Sequence, residues 1–384
     1  MKSAPLQCSQ SCSADTGSAR CTNRVLSRRQ RRNLNRVKHF LQINLYTAIA
    51  LVQCSWQAVA QFRPGAVWLD TAGNPIQAHG GGILVWSNRF YWYGEDRVPG
   101  TPDAVSCYVS TNLSDWTRIG GALARSALPH VDGRPTFVER PKVLFNPQTG
   151  KFVMWMHLEQ FGYRYSHAGI AVADNPAGPF SFLKAIRPVT NDFGFAEHDP
   201  TRQKQLGGTF RDMNLFIDTD NHAYVFYASE DNRTMYVVRL NAEFTGPETP
   251  MVEGKTWGRI LVGQMREAPA PFKHNNRYYL ITSGCTGWRP NAADYAVADN
   301  ILGPWVSKGN PCIGPGAHTT FDSQSTFVLP VPGRPGCFIF MADRWNPRRL
   351  SESRYVWLPL IIQPDGTFTL QWYDTWDMSI FDRR

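Results

Sequence analysis

The chain has 384 residues, of which 42% are hydrophobic, 13% aromatic and only 18% charged, with 31 Gly and 27 Pro. This composition favours many short strands joined by tight turns, so we predict an all-β globular protein. The net charge of +9 would suit nucleic acid as a partner, but nine Lys/Arg against one acid lie in residues 1–60. Residues 61–384 hold 31 basic and 30 acidic side chains, so no nucleic-acid partner is expected.

The first 60 residues have the layout of a secretory signal. The basic stretch ends at Lys38 and is followed by a mainly apolar run over 40–52 and by the small residues Ala58, Val59 and Ala60. That order is typical of an exported protein with a cleavage site. We therefore expect residues 1–60 to be a basic extension with a signal-peptide-like segment, and the protein to be secreted, either extracellular or periplasmic. The alternatives are an uncleaved membrane anchor, which would be the only membrane contact, or neither of these.

Five segments repeat one pattern, in which an apolar strand, a turn rich in Asn, Asp or Gly, and a strongly aromatic strand follow one another. Their aromatic strands are Phe90–Tyr93, Phe152–Trp155, Tyr224–Tyr227, Tyr278–Ile281 and Phe338–Met341. Repeats of several tens of residues, built from antiparallel strands, are typical of β-propellers. We predict a single-domain, five-bladed β-propeller over residues 61–384. A β-helix would have shorter repeats, and a β-sandwich, the other alternative, need not repeat at all.

The two ends of such a ring must meet. We expect the segment 67–69 to join strands near 356–362 and 368–372, because an unpaired sheet edge is an aggregation hazard that closure removes. Four cysteines follow residue 60, namely Cys107, Cys285, Cys312 and Cys337. Their spacing matches no zinc motif, and both disulfides and buried free thiols are compatible with it.

Polar residues lie at the start of the first strand of each repeat. The innermost strand of a propeller blade begins beside the central channel, so these residues are expected to converge there. They are His79, Glu139, Asp212, Glu267 and Gln324. Three carboxylates near one axis repel one another unless one is protonated, and a protonated acid beside an ionised one is the arrangement that sugar hydrolysis uses. The alternative for any single residue is a hydrogen-bonded, channel-lining role.

Aromatic side chains support a carbohydrate site, because the C–H faces of sugars stack on aromatic rings. Four residues in or just after the repeat hairpins are candidates for lining the cleft, namely Trp92, Tyr163, Trp288 and Trp345. The sequence contains no P-loop, dinucleotide-binding fingerprint, Gly-x-Ser-x-Gly elbow or His-Glu-x-x-His motif. Nucleotide-dependent chemistry, serine hydrolysis and zinc proteolysis are therefore not indicated.

Seven motifs in order make the chain resemble glycoside hydrolase family 43, and within it the branch containing exo-β-1,3-galactanases. They are Ala78-His79-Gly80-Gly81-Gly82, Tyr91-Trp92-Tyr93-Gly94-Glu95, Glu139-Arg140-Pro141-Lys142, Arg211-Asp212-Met213, Arg266-Glu267-Ala268-Pro269, Gly284-Cys285-Thr286-Gly287-Trp288 and Ser323-Gln324-Ser325. The resemblance covers about residues 62–375.

The resemblance implies a five-bladed propeller and hydrolysis with inversion at the anomeric carbon. It implies that Glu267 is the general acid, that Asp212 orients it and adjusts its pKa, and that Glu139 contacts the terminal sugar. The further substrate-binding candidates are Glu95, Tyr163, Thr286, Trp288 and His79.

One departure from the wider family affects the general base. Most members place an Asp on the first blade, where this sequence has His79-Gly80-Gly81. The resemblance implies that Gln324 takes part in holding the attacking water. Because an amide is a poor base at neutral pH, we expect Gln324 to position water and keep Glu139 as the competing base.

The expected function is release of galactose from β-1,3-galactan, such as the backbone of arabinogalactan proteins, by a monomer. Arabinofuranosidase, galactofuranosidase or xylosidase activity on the same scaffold is the alternative, as is a non-catalytic carbohydrate-binding propeller. We expect no required cofactor. The sequence is compatible with a structural Ca²⁺ ion in the central channel and equally with none.

Overall fold

The computed structural model describes residues 61–163, 165–190 and 208–382. Five antiparallel sheets follow one another along the chain, and in each the strands pair in chain order. The first strand of every sheet contacts the first strands of both neighbouring sheets, so the sheets form a closed ring. This arrangement confirms the predicted five-bladed β-propeller. The expected signal-like segment, 1–60, lies outside the described residues.

Blades I to IV each have four strands, and blade V has three. Blade I comprises His79–Trp86, Arg89–Glu95, Asp103–Ser110 and Thr117–Ala124. Blade II comprises Phe137–Asn146, Lys151–Glu159, His167–Ala173 and Ser181–Ile186. Blade III comprises Arg211–Ile217, Ala223–Ser229, Thr234–Arg239 and Trp257–Ile260. Blade IV comprises Arg266–His274, Arg277–Gly284, Asp294–Ala298 and Val306–Gly309, and blade V comprises Gln324–Pro330, Cys337–Arg344 and Arg354–Ile361.

Short elements connect the blades. Three two-stranded sheets pair Gln61–Phe62 with Trp376–Asp377, His130–Val131 with Arg134–Pro135, and, in parallel, Cys312–Ile313 with Leu370–Gln371. The helical elements of the described residues are 3₁₀ turns at Arg125–Ala127, Ala317–Thr319, Leu350–Glu352 and Met378–Asp382. Within the same described ranges, no helix is long and apolar enough to cross a membrane.

The segment 67–69 does not pair as a strand with 356–362 or 368–372, although Trp68 packs between the first and last blades, with ring centroids 6.2 Å from Trp92 and 5.0 Å from Trp357. Leu69 forms only an isolated bridge to Pro75, and the side chains of Val67 and Leu69 are about half exposed. Closure comes instead from Phe62, which stacks on Trp376 with ring centroids 4.1 Å apart. Burial of two aromatic rings stabilises that short pairing more than the two exposed aliphatic side chains could stabilise a strand at 67–69.

The core lies between blades, where the aromatic second strands pack face to face. Between blades I and V, Trp92 contacts Trp116 and Trp357 at centroid distances of 5.2 and 4.8 Å. Trp92 is 1% exposed, so its predicted place in the cleft is wrong and it belongs to the core. Among the described cysteines none forms a disulfide, and three of the four are buried free thiols.

Candidate active site

A β-bulge shapes the channel end of all five blades. Just before the shift in pairing in blades I to IV, His79 lies opposite Glu95, Glu139 opposite His157, Arg211 opposite Ala228 and Glu267 opposite Ser283. In blade V that place belongs to Ser325, opposite Ala342, and Gln324, opposite Asp343, lies one residue earlier. In blades I to IV the next residue is left-handed, at Gly80, Arg140, Asp212 and Ala268 with φ of 59°, 55°, 42° and 54°. The left-handed conformation costs a non-glycine residue about 1–2 kcal/mol. Bulges at such positions re-aim side chains toward an active site.

This register corrects one detail of the sequence interpretation. Asp212 does not occupy the position of Glu139 and Glu267 in its blade, because Arg211 does. Asp212 is one residue further along, at the left-handed position that Arg140 takes in blade II. Blade III therefore directs a carboxylate into the channel from the bulge itself.

Residues from all five blades line one cavity of about 270 Å³ at the channel mouth. This volume is just below the range of drug-sized pockets, about 300–1,000 Å³, and suits a single sugar ring. The sequence candidates that the cavity brings together are Glu95, Glu139, Tyr163, Asp212, Glu267, Trp288, Gln324 and Trp345.

Glu267 is a carboxyl group prepared to carry a proton. Burial, followed by the charge of Asp212, raises the pKa of Glu267 to about 8. Its Oε2 accepts a hydrogen bond from Asn232 Nδ2 at 2.9 Å, and its Oε1 accepts one from Gln324 Nε2 at 2.9 Å. The thiol of Cys285 also lies against it, and burial raises the pKa of that thiol to about 12. Glu267 is thus oriented on both oxygens and protonated at neutral pH.

Glu139 has the opposite protonation. Burial opposes its ionisation, but the close contact and charge of His157, together with Arg97 and Tyr163, hold the pKa of Glu139 at about 2. Tyr163 donates its hydroxyl to Glu139 Oε1 at 2.9 Å, and His157 Nδ1 lies 3.2 Å from Oε2. The cavity therefore contains one protonated and one ionised glutamate, which is the division of roles that sugar hydrolysis requires.

Arg140 connects blade II to its neighbours across the cavity floor. Its backbone N–H donates to Glu95 Oε1 at 2.8 Å, its Nε lies 3.4 Å from Asp212 Oδ1, and its guanidinium lies 5.5 Å from the Trp345 ring. Glu95 also pairs with Arg97. At Gly80 a Cβ would come within 2.4 Å of Glu95 Oε1. Only glycine at this left-handed position leaves room for the Glu95 carboxylate.

Gln324 is hydrogen-bonded by protein groups on every side. Its Nε2 donates to Glu267 Oε1 and to Ser283 Oγ, both at 2.9 Å. Its Oε1 accepts from Arg140 and from Trp345 Nε1, the latter at 3.0 Å. Two donors and two acceptor lone pairs are all that an amide offers, so a water molecule bound to Gln324 has to replace one of these partners.

Two predicted substrate-binding residues do not line the cavity. His79 is fully buried, with Nδ1 3.5 Å from Asp343 Oδ1 and its ring stacked on Tyr355 at 5.1 Å. The side chain is packed behind the bulge, so it supports the floor and does not reach a sugar. The Thr286 hydroxyl donates to Arg289 O at 2.5 Å and accepts from Asn291 Nδ2 at 2.7 Å. It is used inside its own exposed loop, while Gly287 and Trp288 form the wall.

Arg97, His157, Asn232 and Cys285 also line the cavity, and the sequence interpretation did not select them. A signal existed for His157, because the residue opposite the bulge on the second strand is polar in three blades, namely Glu95, His157 and Ser283. Reading the second strand in the same register as the first would have found it. Arg97 and Asn232 lie in loops after the second strand, where the repeat gives no signal.

Two places in the channel have polar groups that a divalent cation could contact. Ligand atoms of Glu139, His157 and Asp212 lie within 4.8 Å of one another. Arg97 and Arg140 already balance the two carboxylates, and His157 faces carboxylates through both nitrogens, so no imidazole lone pair is directed at an ion. Deeper in the channel, Lys142 Nζ donates to Gly80 O at 2.7 Å. A Ca²⁺ ion needs six to eight oxygen ligands, and here the Lys142 amine, whose pKa burial lowers to about 7, already occupies the Gly80 carbonyl oxygen.

Known proteins are similar to this chain in both sequence and fold. The sequence profile of glycosyl hydrolases family 43 matches residues 73–325. A solved family 43 β-1,3-galactosidase superposes with a TM-score of 0.75 at 35% identity, covering 84% of this chain and 65% of that one, so the present chain spans less than two thirds of its length. A second, solved with galactodeoxynojirimycin, gives a TM-score of 0.73 at 39% identity and covers 83% of this chain and 100% of that one.

A third structure, an exo-β-1,3-galactanase from Phanerochaete chrysosporium with bound β-1,3-galactotriose, gives a TM-score of 0.70 at 34% identity, covering 83% of this chain and 68% of that one. Among curated proteins no match was found. The matched profile spans more than half of the residues, and the structural relatives match in both fold and sequence. The chain belongs to glycosyl hydrolase family 43.

Proposed function

We propose that the chain is an exo-acting hydrolase that removes galactose from the end of β-1,3-galactan, with inversion at the anomeric carbon. The observation that carries the proposal is a cavity of about 270 Å³ in which Glu267 is protonated and Glu139 ionised at the same pH. The named activity of the relatives, β-1,3-galactosidase or exo-β-1,3-galactanase, supports galactose as the released sugar.

Glu267 acts as the general acid. A carboxyl with a pKa of about 8 holds its proton at neutral pH and gives it to the departing glycosidic oxygen. Asp212 contributes the negative charge that keeps the proton on Glu267. Asn232 and Gln324 orient the carboxyl through both of its oxygens.

The water-directing group in an inverting enzyme stands away from the acid, because the sugar and the water lie between them; the two groups are about 6.5–9.5 Å apart. Gln324 is hydrogen-bonded to Glu267 itself at 2.9 Å. Its position therefore suits orientation of the acid better than capture of the water. Glu139, which bonds instead to Tyr163 and His157, is the better-placed group to accept a hydrogen bond from the attacking water.

We also propose that the protein acts as a monomer outside the cytoplasm. All the residues that line the cavity belong to one chain. The signal-like segment supports export.

The test is sugar release by the full chain from β-1,3-galactotriose, an arabino-oligosaccharide and a xylo-oligosaccharide, with Glu267→Gln as the matched variant. We expect galactose from the first substrate alone, released first as the α-anomer, and none from the variant. Release of arabinose or xylose would keep the scaffold and overturn the specificity. Binding without hydrolysis would favour a carbohydrate-binding propeller.

A further inference from the structure

His157 lies on the second strand of blade II, opposite Glu139, and is 1% exposed. Its Nδ1 is 3.2 Å from Glu139 Oε2, an ion-pair contact that is not well aligned as a hydrogen bond, and its Nε2 is 3.2 Å from Glu159 Oε2. A neutral imidazole has one N–H, so it would turn a lone pair toward one of the two carboxylates. Only the imidazolium form matches both partners.

Glu159 is fully buried and holds the loop that carries Tyr163. Its Oε1 accepts from the backbone N–H groups of Gln160, Tyr165 and Ser166 at 2.9, 2.7 and 3.0 Å, and its Oε2 accepts from Ser166 Oγ at 2.7 Å. The Ser166 hydroxyl in turn accepts a hydrogen bond from Arg211 Nε at 3.0 Å, and Arg211 Nη2 donates to Tyr163 O at 2.8 Å. One carboxylate thus fixes two of the groups that contact Glu139, namely the imidazole and the tyrosine.

We propose that His157 is a permanently protonated positioning residue, held by Glu159, that keeps the Glu139 carboxylate ionised and oriented in the cavity. This inference rests on the proposed function for its kinetic consequence, while the charge state of His157 stands independently of any substrate. The pKa of His157, which burial lowers and both carboxylates raise, is about 9, and the pKa of Glu159 is about 2. Both values agree with an ion triad at neutral pH.

Other titratable and charged groups also face the ion triad of Glu139, His157 and Glu159. Around Glu139 they are Glu95, Arg97, Arg140, Tyr163 and Asp212, and around Glu159 they are His167, Arg187 and Arg211. Two acids beside Glu139 oppose its ionisation, and Arg97 and Arg140 favour it. Glu159 acts on Glu139 through His157 and through the loop that carries Tyr163, so a change at Glu159 that keeps an acceptor for the loop N–H groups isolates the contact with His157.

Glu159→Gln is the variant that tests the contact between His157 and Glu139 most directly. The amide oxygen can keep the backbone N–H groups, and the amide NH₂ can donate to Nε2 of a neutral His157 whose Nδ1–H faces Glu139. The packing is retained while one positive and one negative charge are lost. Glu248→Gln, the same substitution at a carboxylate that pairs with Arg239 at the outer edge of blade III, is the control.

The first measurement is NMR titration of the His157 ring in the full chain, assigned by the signal that disappears in His157→Gln. We expect the ring to stay protonated to above pH 8, and to become neutral at lower pH in Glu159→Gln. Titration of the wild-type ring near the ordinary value of about 6.5 would overturn the proposal. This arm needs no substrate, so it stands even if galactan is not hydrolysed.

The second measurement is kcat/KM against pH with β-1,3-galactotriose. Glu139 is active when ionised, so activity falls as pH falls through its pKa. Loss of the imidazolium raises that pKa, and the acidic limb of Glu159→Gln moves up by about one pH unit, a loss of roughly tenfold at the acid end relative to the wild type. A merely structural role would lower the whole curve without moving the limb, and that outcome would contradict the proposal. Glu248→Gln should leave both measurements unchanged.

Discussion

The alkaline limb of the pH–rate profile should report Glu267, and Asp212→Asn should move it. Burial and the Asp212 charge together raise the pKa of Glu267 from 4.5 to about 8, so about nine-tenths of it is protonated at pH 7. A neighbouring charge changes a carboxyl pKa by about 1–3 pH units. Because Arg140, 3.4 Å away, balances part of the Asp212 charge, we expect the low end of that range and a limb near pH 7.

The assay is galactose release from β-1,3-galactotriose, with kcat/KM measured over roughly pH 4–10. The position of the limb is the criterion, since Asp212→Asn will also lower the whole curve. The control is Asp299→Asn, the same change at a carboxylate whose side chain is 87% exposed. A limb that stays near pH 8 in Asp212→Asn, or moves to higher pH, would refute the assignment of Asp212 as the charge that keeps Glu267 protonated.

Two predictions concern stability. The folded protein holds a proton on Glu267 that the unfolded chain has lost between pH 4.5 and 8, so the free energy of unfolding falls as pH rises through that window. Glu267→Gln should raise Tm at pH 7, where keeping the folded carboxyl protonated costs on the order of 3 kcal/mol, and leave it unchanged at pH 4; equal gains at both pH values would contradict this. Lys142→Met leaves Gly80 O, now bonded at 2.7 Å, without its buried donor. It should cost about 1–3 kcal/mol in urea unfolding near pH 10, where the burial that lowers the pKa of Lys142 to about 7 no longer opposes folding. Lys151→Met on the surface is its control, and equal stability of the two variants would disprove the role.

The repeat by itself determined the fold. Five aromatic strands following five apolar strands can bury their rings only between neighbouring sheets, which is the packing observed around Trp92, Trp155 and Trp357. The polar residues at the start of the apolar strands likewise marked the cavity. Glu139, Asp212, Glu267 and Gln324 all line it because the first strand of each blade begins at the channel.

The tertiary structure alone decided how those residues work. Arg140 meets Gln324 although they are 184 residues apart in the chain, and the bulges determine which side chain of each strand turns inward. His79 and Glu139 hold the same place in the repeat, yet one is packed behind the floor and the other faces the cavity. Glu267 and Glu139 are the same residue type with pKa values of about 8 and about 2, because that value depends on burial and on which charges stand beside each carboxyl.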